Sequence, residues 1–191
     1  MRDQVDIIDN FLNKEDFEKI RNKICSKEME WIFSSHTTSI NDSNKLNDFL
    51  FSNLIQSSLA FFENVCFNKP TVNEELYFLL APLIIKLRAK FLIRIKANLT
   101  TVTDKPIQSD WHIDHEYEGT TAIYYLNTNN GYTVFRDFPQ RIPSRENRVL
   151  IFPTSLYHAG ISQTDTKARY LINFNYLETP KVEVADKESA K

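Results

Sequence analysis

The chain predicts an α+β fold: a sandwich or barrel of short strands in its second half, with N-terminal helices packed on one face. Two textures carry this reading. Up to residue 90 the apolar residues recur mostly at helical spacing; from Phe91 onward they fall into short runs rich in Ile, Val, Thr, Tyr and Phe, separated by polar turns. The third observation is size. With 191 residues, 42% of them hydrophobic and 13% aromatic, the chain can bury one sizeable core, and it reads as a single domain over residues 1–177.

The elements follow in order. Asn13 is placed to cap a helix, Glu15 and Asp16 fall in its first turn, and Phe17, Ile20 and Ile24 share one face, which predicts an amphipathic helix over residues 14–28. LNDFLFSNLIQSSLAFFENVCF, residues 46–67, reads as a second and more thoroughly buried helix. NEELYFLLAPLIIKLRAK, residues 73–90, reads as a third, kinked or divided by Pro82. Residues 1–90 are thus expected to be mainly helical support. The strand runs are FLIRIKANL, TTAIYYLN, YTVFRDF, RVLIFP and ARYLINFNYLE, which place the β core over residues 91–177. The charged end from 178 to 191 is poor in apolar residues and reads as a flexible tail.

Composition removes several classes of function. The net charge is −2 with acids and bases mixed, so there is no electrostatic footprint for a nucleic-acid backbone, and nucleic acid is an unlikely partner. Three glycines in the whole chain leave no room for a Gly-rich phosphate loop of the P-loop or dinucleotide type. Cys25 and Cys66 are isolated in apolar surroundings, and no leader or membrane-length apolar run is visible; two buried thiols in a reducing, cytoplasmic setting are expected, with no membrane partner.

Chemistry concentrates in WHIDHEYEGTTAIYYLN, residues 111–127. In an extended segment residues i and i+2 face the same way, so His112 and Asp114 can converge on one ion while Ile113 and His115 point elsewhere. A third ligand is offered by His158, at the end of RVLIFPTSLYHAG, where the chain leaves an apolar run. Two histidines and one carboxylate on one side of a metal leave adjacent positions open, an arrangement suited to non-haem iron(II). Eleven positions after His158, Arg169 opens RYLINFNY. An inward-pointing arginine is a fork matched to a carboxylate, and near an open iron it suits the distal end of a dicarboxylate, 2-oxoglutarate.

These residues, with IYYLN at 123–127, Gly131 and the FP pair at 152–153, stand in the order used by the 2-oxoglutarate and iron(II)-dependent dioxygenases. The sequence resembles that superfamily, and within it the prolyl 4-hydroxylase-like group, over about residues 91–177. The resemblance implies a double-stranded β-helix, or jelly roll. It makes His112, Asp114 and His158 the iron ligands and catalytic centre, and Arg169 the partner of the distal carboxylate of 2-oxoglutarate. It places Tyr125 on the same carboxylate and Asn173 near the cosubstrate. Thr121, Ile123 and Tyr125 share parity on one strand, as do Arg169, Leu171 and Asn173 on another, so each set can line one pocket wall. The implied partners are dioxygen and 2-oxoglutarate, with ascorbate as reductant. The implied reaction hydroxylates a C–H bond of a protein side chain, such as prolyl, or of a small molecule, and releases succinate and carbon dioxide.

Two departures from the group's pattern are visible: Asn130-Gly131 where Gly-Gly is usual, and Thr100-Thr101 where a tyrosine and a proline commonly close the first core strand. Arg94, Lys96 and Asn98 make a polar stripe of period two that reads either as a solvated face or as donors inside the barrel. Trp111 and Tyr117 flank the metal motif and are candidates for the entrance. The rival readings are a cupin-like metal enzyme, whose motif would be HxH with a glutamate, and an inactive jelly-roll binding module. The first assigns no role to Arg169, and the second would tolerate loss of the ligands.

Overall fold

Strand pairing dominates the molecule. The structure is a computed structural model that describes residues 5–34, 50–57 and 71–178. In chain order its elements are β1 (Asp6–Ile8), α1 (Lys14–Ile24), β2 (Ile32–Ser34), β3 (Leu50–Ser57), β4 (Thr71–Val72), α2 (Glu74–Leu79), α3 (Ala81–Lys86) and β5 (Ala89–Thr101). There follow β6 (Thr120–Tyr125), β7 (Tyr132–Phe135), β8 (Arg141–Pro143), β9 (Arg148–Pro153), β10 (His158–Ile161) and β11 (Ala168–Glu178). A large sheet runs in the order β1-β9-β6-β11-β5-β3-β2, with β4 beside β3, and a small sheet in the order β10-β7-β8. Antiparallel bridges from Gln108 to Ile161 and from His112 to His158 lay the segment before β6 along the free edge of β10.

The two faces of the large sheet bury different things. Ile95 and Ala97 of β5, Ala122 and Tyr124 of β6, Val149 and Ile151 of β9, and Ile172 and Phe174 of β11 join one apolar cluster with Phe17, Ile20 and Ile24 of α1 and Leu76 and Leu83 of α2 and α3. The alternate residues Ile123, Tyr125, Leu150 and Phe152 join Phe135 and Ile142 of the small sheet in a second cluster. The period-two alternation of a strand makes this division, and it gives an antiparallel jelly-roll core whose inner space lies between the sheets.

Local chemistry sets the helix ends. The Asn13 side chain accepts from the Asp16 N–H at 2.9 Å, capping α1. The helix stops at Ile24 rather than at 28, because Ser26 turns its hydroxyl to accept from the Glu28 N–H at 3.2 Å, a local bond that competes with continued helix. Pro82, which has no N–H to give, sits in the first turn of α3, so the predicted third helix is divided at Leu80 into α2 and α3.

The predicted helix over 46–67 is corrected where it is described: Leu50–Ser57 is a strand, β3, pairing antiparallel with β5 from Phe51 opposite Leu99 to Ser57 opposite Arg94. Ser52, Asn53 and Ser57 favour helix only weakly, and the 13-residue β5 offers a long row of backbone partners that outweighs the apolar spacing. The rest of that segment, including Cys66, lies outside the described residues, as do residues 179–191 of the predicted tail; Glu178 itself closes β11. The first 90 residues accordingly contribute strands as well as helices. β8 and β10 span three and four residues, too few to show a period in the sequence. Among the described residues no helix is long and apolar enough to cross a membrane.

The N-terminal segment is fastened through Asn147, which occupies the left-handed region at φ 57° before β9. Its side chain accepts from the Leu12 N–H at 2.9 Å and the Tyr124 hydroxyl at 2.7 Å, and donates to the Leu12 carbonyl at 2.9 Å. Replacing Asn147 by Ala leaves these buried groups unpaired and adds backbone strain. We expect a loss of about 2–4 kcal/mol in denaturant unfolding, with Asn147→Asp recovering part of it.

Candidate metal centre

Backbone pairing brings the three predicted ligands together. His112 and His158 exchange both backbone hydrogen bonds, at 3.1 and 2.9 Å, and the Asp114 N–H donates to the Thr154 carbonyl at 3.0 Å, so the HID segment is locked beside the start of β10. The ligand atoms of His112, Asp114 and His158 all lie within 4.8 Å of one another, and the two imidazoles stand 4.3 Å apart between centroids.

Each ligand is held in the form a cation needs. His112 Nδ1 lies 3.1 Å from the Asp110 carbonyl and His158 Nδ1 lies 3.0 Å from the Leu156 carbonyl. A carbonyl only accepts, so both Nδ1 atoms carry a proton and Nε2 is the atom each ring can offer to a metal. Burial holds His158 below the usual imidazole range against the pull of Asp114. The Asp114 side chain is only 3% exposed. Burial by itself would raise its pKa, but His158, Arg94, the Thr121 hydrogen bond and His112 together hold the carboxyl well below the usual carboxylate range. Two imidazoles and a buried carboxylate, each oriented by a further hydrogen bond, fit a divalent transition-metal ion.

Asp114 is the best-supported of the three. Its Oδ2 accepts from the Thr121 hydroxyl at 2.6 Å and the Asn175 amide at 2.9 Å, its Oδ1 lies 3.6 Å from the Arg94 guanidinium, and Arg94 Nε donates to Asn175 Oδ1 at 3.1 Å. These residues lie in one inner row across three strands: Thr121 of β6 is opposite Asn175 of β11, which is opposite Arg94 of β5. Thr121 thus directs its hydroxyl hydrogen to the carboxylate. Neither Arg94 nor Asn175 was singled out from the sequence for this role. The period-two stripe of Arg94 was the available signal, but nothing local marked its face as the inner one.

The cosubstrate candidates lie along the next inner rows. Ile123 faces Asn173, Tyr125 faces Leu171, and Arg169 faces Thr100. Arg169 is 4% exposed; its Nε donates to Ser144 Oγ at 2.8 Å and its terminal nitrogens to the Ile161 carbonyl at 3.3 Å and Thr133 Oγ1 at 3.5 Å. Thr133 also shares a 2.7 Å hydrogen bond with the Tyr125 hydroxyl, and the Arg169 guanidinium stands 5.7 Å from the Tyr125 ring centroid. No carboxylate of the described residues pairs with Arg169. Gly131 is required by this arrangement: a Cβ there would meet the Ile161 carbonyl at 2.9 Å and Arg169 Cδ at 3.2 Å. The Asn130-Gly131 pair therefore keeps the one glycine that the arginine needs. Asn173 Oδ1 is buried with no hydrogen-bond partner.

His115 stays out of the ligand set; it is buried and stacked on Tyr117, centroids 5.7 Å apart and planes 19° from parallel. Trp111 and Tyr117 are exposed beside the metal motif.

No family model and no curated protein sequence matches the chain. Solved structures do. A prolyl hydroxylase from Trichoplax adhaerens, in complex with a peptide of the hypoxia-inducible factor oxygen degradation domain, is 16% identical, with a TM-score of 0.56 over 91% of this chain and 83% of that one. A 2OG-Fe(II) oxygenase family oxidoreductase from Burkholderia pseudomallei is 11% identical, with a TM-score of 0.60 over 90% and 84%. HygX from Streptomyces hygroscopicus, with nickel, 2-oxoglutarate and hygromycin B bound, is 14% identical, with a TM-score of 0.52 over 92% and 83%. The chain therefore has the prolyl hydroxylase-like fold of the 2-oxoglutarate oxygenases.

His112→Ala, Asp114→Ala and His158→Ala are each expected to abolish tight iron(II) or manganese(II) binding in a folded protein, measured anaerobically by calorimetry. Thr121→Val and Asn175→Leu, which remove only the groups orienting Asp114, are expected to weaken the metal by about 10- to 100-fold. Unchanged affinity in the three Ala variants would dismiss the assignment.

Proposed function

We propose that this protein is a 2-oxoglutarate- and Fe(II)-dependent dioxygenase that hydroxylates a C–H bond, with 2-oxoglutarate converted to succinate and carbon dioxide. The observation that supports this best is the pairing, on one inner surface, of a two-histidine, one-carboxylate set with a buried arginine that has no acidic partner among the described residues. The first fits iron(II) and the second fits a carboxylate held apart from it.

His112, Asp114 and His158 would hold the iron, which when bound supplies the activation of dioxygen and the oxidation of the C–H bond. Arg169 would take the distal carboxylate of 2-oxoglutarate, with Thr133 and the Tyr125 hydroxyl completing the end of the pocket. Ile123 would pack against the cosubstrate chain and Asn173 would border it. Burial raises the Tyr125 pKa against the opposing pull of Arg169, so the phenol stays protonated and available to donate. Ascorbate would serve as the reductant that maintains the ferrous state. The primary substrate is a protein side chain or a small molecule: the Trichoplax neighbour holds a peptide and HygX holds hygromycin B. We take residues 1–177 as the unit that works, in the cytoplasm.

Turnover of 2-oxoglutarate to succinate with iron(II) and ascorbate is the direct test, with mass spectrometry for a gain of one oxygen in the partner molecule. Arg169 separates this reading from a metal enzyme without 2-oxoglutarate. Arg169→Ala is expected to keep the metal but to weaken 2-oxoglutarate by about 2–5 kcal/mol, roughly 30- to several-thousand-fold. Arg169→Lys restores part, since a point charge does not reproduce the fork. Pyruvate, which lacks the distal carboxylate, is expected to bind parent and variant alike. Equal 2-oxoglutarate affinity in parent and Ala variant, with metal bound in both, would refute the proposal.

A further inference from the structure

A guanidinium on a long stem can offer a carboxylate either of two forks, and something in the protein must choose which one Arg169 presents. Its three hydrogen bonds are unequal. Nε donates to Ser144 Oγ at 2.8 Å, whereas the terminal nitrogens reach the Ile161 carbonyl at 3.3 Å and Thr133 Oγ1 at 3.5 Å. Ser144 is thus the group that holds the head of the side chain most closely. No motif marks it in the sequence, where it stands 25 positions before Arg169.

Ser144 is itself firmly placed. It follows β8 directly, is 1% exposed, and is held on both sides of its backbone: its N–H donates to the Gly131 carbonyl at 2.9 Å, and its carbonyl accepts from the Asn129 N–H at 3.2 Å. The preceding Pro143 carbonyl accepts from Arg148 at 3.1 Å, and Arg148 is clamped by Asp9 at 2.6 and 2.9 Å. The arginine is confined from the other side as well, since a Cβ on Gly131 would meet its Cδ at 3.2 Å and one on Gly160 would lie 3.5 Å from its Nη1. A carboxylate pairs with a guanidinium through the Nε and Nη2 edge or through the Nη1 and Nη2 edge. Nε has a single hydrogen, and Ser144 takes it; each terminal nitrogen has two and gives one to the protein, so the end edge is the one that can still fork.

We propose that Ser144 is the positioning residue of the cosubstrate anchor: by holding Nε it presents the end edge of Arg169 to the distal carboxylate, and so sets the length of oxo-dicarboxylate that the site accepts. This rests on the oxygenase reading and deepens it at the same site. Fixing the edge fixes where the carboxylate is met relative to the metal ligands. An acid one methylene shorter or longer then misplaces either its distal carboxylate or its oxo group. Without the Ser144 hydroxyl the head of the arginine turns, Nε is released, and side-on pairing competes with end-on pairing. The preorganised fork is lost, and the five-carbon acid, which fits it, loses most. A serine that only filled space would disturb every bound acid alike.

The test measures, by calorimetry on the zinc(II)-loaded protein, the affinities of 2-oxoglutarate, of its shorter and longer homologues oxaloacetate and 2-oxoadipate, and of pyruvate. The parent is expected to favour 2-oxoglutarate over both homologues. Ser144→Ala is expected to weaken 2-oxoglutarate by about tenfold while the other three acids each change by less than about threefold, so that the preference narrows. Ser144→Cys, which keeps a weak acceptor in nearly the same space, is expected to fall between parent and Ala. The orientation of the arginine is read separately from the Arg169 Nε–H resonance in ¹⁵N NMR, protected from solvent exchange in the parent and shifted and exchange-broadened in Ser144→Ala. Equal 2-oxoglutarate affinity in parent and Ser144→Ala, losses of one size for all four acids, or an unmoved Nε–H resonance would each overturn the proposal. If the parent did not bind 2-oxoglutarate, the oxygenase reading would fall and the anchor with it. If the parent bound it and Ser144→Ala bound it as well, only the role of Ser144 would fall.

Discussion

The register of β11 between β6 and β5 is the constraint on which the site depends. Asn175 must stand opposite both Thr121 and Arg94 for three strands to meet at the Asp114 carboxylate, and Arg169 must stand opposite Thr100 to reach the inner end. The outer face enforces this. Ile172, Phe174 and Tyr176 alternate with the polar residues and are fully buried against the helices. A slip of one residue would drive Asn173 and Asn175 into that apolar layer and turn the three large side chains toward the polar interior. At about 1.5–3 kcal/mol for each large side chain misplaced, the apolar face fixes the register, and the register in turn fixes the polar face.

That division explains what the sequence revealed. FLIRIKANL, TTAIYYLN, RVLIFP and ARYLINFNYLE are long enough for alternation to show, and they are β5, β6, β9 and β11, four neighbours in the centre of the large sheet. The cluster of His112, Asp114 and His158 was legible as a candidate because HxD works within a single extended segment and because His158 follows at the end of a strand-like run. What stayed hidden depends on partners far away in the chain. β3 has the apolar spacing of a helix and becomes a strand only because β5 offers an edge. Thr121 reads equally well as a pocket residue until Asp114, seven positions earlier, is seen to fold back onto its hydroxyl. Arg94 and Asn175 are 81 positions apart, and no local pattern announces that they share a carboxylate.

The polar interior has a common logic. Asp114 is a buried anion surrounded by donors, whereas Arg169 is a buried cation satisfied by a hydroxyl pair and a carbonyl but not neutralised. Buried charges of this kind cost stability unless a partner arrives, since neutral hydrogen bonds replace only part of the lost hydration. A cation beside Asp114 and a carboxylate beside Arg169 would each relieve one of these deficits. Preorganisation follows from the same packing. Gly131 gives the Arg169 stem its path, and the backbone carbonyls of Asp110 and Leu156 fix the imidazole tautomers before any ligand enters.

Lys96 belongs to the same logic. β5 carries one cation toward the metal ligand, through Arg94, and a second that nothing among the described residues answers. An unpaired ammonium at position 96 costs desolvation that the protein's own groups only partly offset. An apolar residue there would carry no such desolvation cost. The fold is therefore held together by its two apolar clusters, while the charged groups of the inner face are only partly answered within the protein.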